Sequence, residues 1–298
     1  MYRWLTHQGY PQSWIDPAMM IDAKRPITTA PVVGFDGGFY WVYFGTGRFF
    51  NVQDKTDPGS NAQDYFFGLK EPVDSETGAF TWAPIQNGLA TAPLQPGNNA
   101  GSRTLLRVDQ IGVAEAVSAS TALLNCRDSS ACLPDGVATF KNLQNYIVGT
   151  CDTVMGCTGI DGWVHAFGAP RERNLGQGTL LGGLINFTTY QPFQGTCNPE
   201  GESYLYSLHF QTGTAYYASM VDAGAAHGIS NNNDGSRPLA TMRRSVGKGL
   251  ATTPRLYKGR QQGSKAFVQT SAGTFVGLAQ PNLPVKTIKS GRLNWRSE

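Results

Sequence analysis

The chain repeats a phrase, and that repeat narrows the possible folds more than any other feature. The first copy is Thr28-Thr29-Ala30-Pro31-Val32-Val33, a Gly turn, then Trp41-Val42-Tyr43-Phe44-Gly45-Thr46-Gly47. The last is Thr252-Thr253-Pro254-Arg255-Leu256-Tyr257, a Gly-rich turn, Ala266-Phe267-Val268-Gln269-Thr270 and Thr274-Phe275-Val276-Gly277-Leu278. A looser copy lies between them, from Gly178-Thr179-Leu180-Leu181 through Gly182-Gly183 to Leu184-Ile185-Asn186-Phe187-Thr188-Thr189. It is completed by Tyr204-Leu205-Tyr206-Ser207-Leu208 and Thr212-Gly213. Each copy reads as a short strand, a Gly-based turn and a second strand ending in Thr, often with a third strand. A unit of three or four strands cannot bury both of its faces alone and must stack on its neighbours, which is the logic of a β-propeller blade.

The fold class is therefore all-β, a modified β-propeller with quinoprotein-like blades. Blade-like segments fall at 28–72, 102–167, 178–217 and 248–280, with insertions at 73–101 and 126–160. Residues 1–298 are taken as a single propeller domain or a fragment of one, and four or so blades fit either a small closed ring or an incomplete part of a larger one. Composition agrees: 36 Gly, 17 Pro, 11% aromatic and 15% charged residues suit strands joined by tight turns. Two short helices are predicted, over Glu115–Leu124 and Thr139–Tyr146. Gly162 to Phe167 reads as a strand with Trp163 and His165 on one face and Val164 and Ala166 on the other. Residues 222–236 read as a loop.

The formal charge of +3 is too small to mark a nucleic-acid binder. Its basic residues are dispersed, apart from Arg243-Arg244 and the tail Lys286 to Arg296, which read as solvated surface. No apolar run approaches the roughly 18 residues of a membrane helix. The start carries no signal peptide, because a charge-flanked apolar core is missing. Tyr2 and Trp4 alternate about Arg3 like a strand already under way, so Met1 is read as an internal start or the edge of a longer parent.

Of the five cysteines, Cys126 and Cys132 enclose five residues, as do Cys151 and Cys157, while Cys197 stands apart. No Cys-x-x-Cys is present, so zinc and thioredoxin-like sites fail at the spacing step. Two close pairs in polar loops point to disulfides tying down surface excursions in an oxidising compartment. Cross-pairing between the two loops stays open, and Cys197 is either free or paired outside this chain.

Catalytic constellations are not found. The four histidines are His7, His165, His209 and His227. His165 and His209 lie in alternating strand patterns and read as hydrogen-bonded structural residues. His227 stands near Asp222 and Gly228, without a Gly-x-Ser-x-Gly elbow to supply a nucleophile. Asn232, Asp234 and Gly235 match three positions of a calcium loop, but Ser230 and Thr241 occupy ligand positions, so a turn is the better reading. Asp54, Asp57 and Asp64 fit no ligand template and are expected in solvent. No catalytic, cofactor or metal residues are assigned. Trp4, Trp14, Trp41, Trp163 and Trp295 fall in strand phrases that blade packing explains. Trp82, in the insertion Thr81-Trp82-Ala83-Pro84, is the partner-contact candidate.

Several phrases, in order, resemble the C-terminal domain of PilY-type proteins, a family of type IV pilus biogenesis and tip-adhesin proteins. They are Arg25-Pro26-Ile27-Thr28-Thr29-Ala30-Pro31, Val42-Tyr43-Phe44-Gly45-Thr46-Gly47-Arg48, Asp64-Tyr65-Phe66-Phe67-Gly68-Leu69 and Gly162-Trp163-Val164-His165. Arg171-Glu172-Arg173, Ile185-Asn186-Phe187-Thr188-Thr189, Cys197, Tyr204-Leu205-Tyr206-Ser207-Leu208 and Thr212-Gly213 follow. The closing Gly291-Arg292-Leu293-Asn294-Trp295-Arg296 is similar to the family's ending, and residues 73–160 contribute least. The resemblance implies a non-enzymatic, extracellular or outer-membrane-surface domain at the pilus. Its partners would be minor pilins or the tip complex, and host or abiotic surfaces. The family's calcium loop of the D-x-D-x-D type is absent from this chain, so no cofactor is carried over. A quinoprotein-like dehydrogenase and a calcium-tuned lectin-like adhesin are the alternatives from other classes.

Overall fold

Alternating apolar residues become strands wherever a tight turn lets the chain fold back on itself. The computed structural model describes residues 1–3, 12, 16–36, 38–55, 63–72, 105–127, 132–149, 151–152, 156–157, 159–193, 200–218, 237–258 and 264–280. The first half runs β1 (Tyr2–Arg3), β2 (Ala18–Met19), β3 (Val32–Phe35), β4 (Phe39–Gly45), β5 (Tyr65–Pro72), β6 (Leu106–Arg107), β7 (Ile111–Val113) and β8 (Leu124–Cys126). Helix α1 (Phe140–Val148) follows, then β9 (Cys151–Asp152), β10 (Gly156–Cys157) and β11 (Gly162–Ala166). The second half runs β12 (Arg173–Asn174), β13 (Thr179–Leu181), β14 (Leu184–Pro192), β15 (Gly201–His209), β16 (Arg243–Lys248), β17 (Arg255–Lys258), β18 (Ser264–Gln269) and β19 (Phe275–Gln280).

These strands build three main sheets. The first has the order β3-β4-β5-β11-β6, and the second β12-β14-β15-β16 with β13 also on β14. The third is β17-β18-β19. Turn chemistry sets the registers. Asp36 Oδ1 accepts from the amides of Gly38 and Phe39 and closes the β3–β4 hairpin. Between β13 and β14, Gly182 and Gly183 have φ of 61° and 85°, the left-handed pair that a two-residue hairpin requires.

The sheets stack face to face. Trp41, Tyr43, Phe66 and Trp163 of the first sheet share one core with Leu184, Ile185, Phe187 and Tyr206 of the second. The Phe66 and Phe187 rings stack at 3.7 Å, and Phe187 stacks on Tyr206 at 5.0 Å. Each such ring contributes roughly 1.5–3 kcal/mol by leaving water. Leu205, Val246 and Ala251 join the second sheet to Ala266 and Val268 of the third. The outer face of the first sheet, with Val42, Phe44, Phe67, Leu69 and Val164, packs on Met20, Ile21 and Ala23.

The repeated Thr/Pro phrase now has a physical role. It precedes β3 and β17, strands that both lie beside β13. Gln177 Nε2 donates to the Pro31 carbonyl (3.3 Å), and Thr179 Oγ1 donates to the Pro254 carbonyl (3.0 Å). Thr188 Oγ1 donates to the Thr252 carbonyl (3.2 Å). Proline has no N–H to offer a ladder, so it marks a strand start, while its carbonyl still serves the neighbouring sheet. Strands β3, β13 and β17 of the three sheets are thereby gathered together, in keeping with the all-β propeller arrangement the repeat implied. Among the described residues none of the sheets closes into a barrel.

Two expectations need correction. The pattern predicts separate blades for segments 28–72 and 102–167, yet β11 pairs with β5 and β6 pairs with β11 in the same sheet as β3 and β4. The free edge of β5 takes a strand almost a hundred residues away, and alternation alone cannot choose a strand's neighbour. The helix expected over Glu115–Leu124 is absent. The Ser118 carbonyl accepts from Thr121 and Ala122, while Glu115 and Ala116 donate to Pro238 and Tyr217. Ser118 and Thr121 bond each other through their hydroxyls, and tertiary pairing overrides helix propensity. The second predicted helix forms as α1. Thr139 caps it by accepting from the Asn142 amide, and Phe140, Leu143 and Ile147 are its buried stripe.

Candidate interaction site

The insertion between β6 and β11 forms a module of β7, β8 and α1. Ala114 bridges Leu239, its amide donates to the Leu123 carbonyl (2.9 Å), and Leu123 bridges Thr139. Directly opposed residues of antiparallel strands share a face, so Leu239, Ala114, Leu123 and Thr139 form one row across it. Leu123 is 58% exposed and Leu239 42%. Leu239 also lies over Gly112, where a Cβ would come within 3.1 Å of it. The Cys126–Cys132 disulfide (Cα–Cα 5.6 Å) closes the end of β8, and the Arg127 amide donates to the Gln110 carbonyl behind it. This is an exposed apolar face on a disulfide-pinned, helix-backed scaffold.

The module is held to the first sheet by a residue that pattern reading passed over. Lys70 is 3% exposed at the end of β5, and its Nζ donates to the carbonyls of Ile147 (3.0 Å) and Val148 (2.7 Å). A cation at the carbonyl end of α1 satisfies acceptors that have no partner within the helix. The signal was a charged Lys70-Glu71 pair closing an otherwise apolar strand phrase.

A second clamp ties the first sheet to the second. Glu172 is fully buried and accepts from the Ala169 amide (3.0 Å), from the Thr189 hydroxyl and from Arg243 Nη2 (3.0 Å). Arg243 lies over the Tyr204 ring at 3.4 Å, so it is packed rather than the solvated surface expected of Arg243-Arg244; Arg244 is exposed. Arg173 is likewise buried, and its Nη1 donates to the carbonyls of Arg48 and Asp54 (2.7 Å each). The expectation of solvated aspartates also fails for two of the three. Asp54 is 3% exposed, accepting from the Phe50 and Asn51 amides and from Arg48, and Asp64 accepts from the Thr46 hydroxyl. The Phe50 amide, with Arg48, holds the Asp54 carboxyl below the usual range. Asp54 staples its loop by satisfying backbone donors, and Asp64 acts through a side-chain hydroxyl. Asp57 lies outside the described residues.

Neither strand histidine is a usable base. His165 Nδ1 donates to the Gly213 carbonyl (3.1 Å), and His209 Nδ1 pairs with the Thr212 hydroxyl (3.2 Å). Burial pushes His165 down to about 4, against the opposing pull of Asp109, and pushes His209 down to about 3. Trp41 and Trp163 are fully buried, as blade packing requires. The Trp163 indole donates to the Phe210 carbonyl (3.0 Å), and a Cβ on either Gly68 or Gly213 would overlap its ring. Among the described residues no three His, Cys, Asp or Glu side chains stand close enough to share a metal. A cleft of about 720 Å³ opens beside the first sheet, lined by Tyr2, Tyr40, Asp22, Arg25 and Glu71 among others.

Of the cysteine candidates, Cys126 and Cys132 are joined, which removes cross-pairing by either of them. Cys151 and Cys157 are placed by backbone register only, directly opposite each other in β9 and β10. Trp82, Cys197, His7, His227, Ser230, Asn232, Asp234, Gly235 and the closing Gly291 to Arg296 phrase lie outside the described residues.

The architecture defines a class, a β-propeller of stacked small sheets, and comparison narrows it. The Pseudomonas aeruginosa PilY1 C-terminal domain has the same fold, at TM-score 0.50 and 17% sequence identity over 87% of this chain. This chain spans 45% of that domain. An exo-1,5-alpha-L-arabinanase from a bovine ruminal metagenomic library covers 87% of this chain and 94% of its own, at 10% identity and a TM-score of 0.19, too low to bear on the fold. No protein-family model and no curated protein matches the chain. The resemblance drawn from the ordered phrases is thus met at the level of fold. No helix among the described residues is long and apolar enough to cross a membrane.

Proposed function

We propose that this chain is a non-enzymatic, PilY-type propeller domain that acts outside the cell at type IV pili. It would support pilus assembly, the control of retraction and surface attachment by contacting minor pilins at the tip. The observation that carries the reading is the fold shared with the PilY1 C-terminal domain over 87% of the chain. The Cys126–Cys132 disulfide supports an oxidising compartment. The two buried histidines and the packed Glu172, Arg173 and Arg243 support a scaffold, because their polar groups are spent on internal bonds.

Leu239 and Leu123, exposed on either side of the buried Ala114, form the face we assign to a pilin partner, since exposed Leu side chains on a rigid ladder offer area at small ordering cost. The test is capture of minor pilins by the immobilised chain, with Leu123→Asp/Leu239→Asp as the comparison. Capture by the parent, reduced at least tenfold in the variant at unchanged melting temperature, supports the assignment. Absence of capture by the parent removes the pilus reading, and undiminished capture by the variant moves the contact elsewhere.

A further inference from the structure

We infer that Cys151 and Cys157 form a second disulfide, leaving Cys197 as the chain's single thiol. The argument begins with bookkeeping. Five cysteines are present, and Cys126 is already bonded to Cys132, so three remain to be assigned. Backbone register then selects among them. In the antiparallel pair of β9 and β10, Gly156 stands opposite Asp152 and Cys157 opposite Cys151. Opposed residues in an antiparallel pair have Cα atoms about 4.5–5.5 Å apart, inside the span of roughly 4.4–6.8 Å that a disulfide bridges.

The base of this hairpin is fixed independently of the cysteines. Gly149 ends α1 with φ of 64° and donates to the Asn145 carbonyl. The Ile160 amide donates to the Ile147 carbonyl (3.3 Å), and Gly159 passes so close that a Cβ there would stand 2.9 Å from the Gly149 nitrogen. Lys70 holds the same end of the helix through Ile147 and Val148. Both feet of the hairpin are therefore anchored, and the two cysteines sit two positions above the anchor. Closing so short a loop removes little entropy from the unfolded chain and asks for no rearrangement of the backbone.

In the bond-forming step the two thiols lose two protons and two electrons and gain one S–S bond. The electrons pass to an oxidised protein dithiol of the compartment by thiol–disulfide exchange, through a mixed disulfide, and that partner leaves as the reduced dithiol. The odd cysteine has no partner left within the chain.

The experiment is a thiol map of the full chain secreted into an oxidising compartment, blocked with iodoacetamide before any reduction. Cleavage at Met155 separates Cys151 from Cys157 along the chain, so a disulfide leaves the two fragments joined until reductant is added. The expected result is joined fragments, a linked Cys126–Cys132 pair and alkyl label on Cys197 alone. Label on Cys151 and Cys157 while Cys126–Cys132 is intact overturns the inference, as does either of them linked to Cys197. In a companion arm, Cys151→Ser/Cys157→Ser should become at least tenfold more sensitive to proteolysis within residues 149–159 without change elsewhere. Equal sensitivity of parent and variant also counts against the bond.

Discussion

Acidification from pH 7 to pH 5 should destabilise this protein through His165 and His209. Both are fully buried and held near 4 and 3, whereas an unfolded histidine titrates near 6.5. The unfolded state therefore binds protons first as pH falls. Stability is full above pH 6.5, declines below it, and stops declining on account of each histidine only once pH passes that residue's folded value. At pH 5 each histidine costs about 2 kcal/mol and the pair roughly 4 kcal/mol, a large part of a typical folding free energy of about 5–15 kcal/mol. The window matters, because Asp109, held below its ordinary value by the Arg107 hydrogen bond against the opposing cost of its burial, keeps its stabilising contribution across this range and loses it only as pH falls through the carboxylate range. Urea unfolding at the two pH values measures the loss. Side-chain nitrogen NMR at pH 5 should find both rings neutral, with the proton of His165 on Nδ1, because a carbonyl can only accept. Either ring charging above pH 5 in the folded protein, or an unchanged urea midpoint, would refute the reasoning.

Gly213→Ala places a Cβ at φ of 65° against the Trp163 ring, and should cost roughly 3 kcal/mol in urea with quenching of the Trp163 environment altered. Lys70→Met leaves the Ile147 and Val148 carbonyls without their buried donor. A loss of about 1–3 kcal/mol is expected, with amide exchange accelerated in the last turn of α1 before the β4–β5 ladder. Glu172→Ala strands the Thr189 hydroxyl, the Ala169 amide and Arg243, and should cost roughly 3 kcal/mol. The double variant with Arg243→Ala should lose less than the sum of the single losses, and strict additivity would mean the pair is not coupled.

Local chemistry was readable from the chain. Period-two alternation placed Trp163 and His165 on one face of β11, the Gly182-Gly183 pair announced its hairpin, and the helix expected over Thr139–Tyr146 forms as α1. Repetition of the Thr/Pro phrase gave stacked small sheets, because such sheets have two apolar faces and no other way to cover them. The partner of each strand was not readable. β11 joins β5 across almost a hundred residues, and the 115–124 stretch, helical by composition, is drawn into a bridge with Thr139 and into hydrogen bonds with Pro238 and Tyr217. Those choices depend on which edge is free once the sheets are assembled.

The same division holds for charge. Sequence marks Lys70, Asp54, Glu172, Arg173 and Arg243 as polar, and polar residues default to solvent. Only the assembled fold supplies the carbonyls, amides and aromatic ring that let them be buried, since an ionic group enters the interior where its bonds are replaced. The linear chain set the units and their turns, and the packed structure decided which unit meets which and where each charge is held.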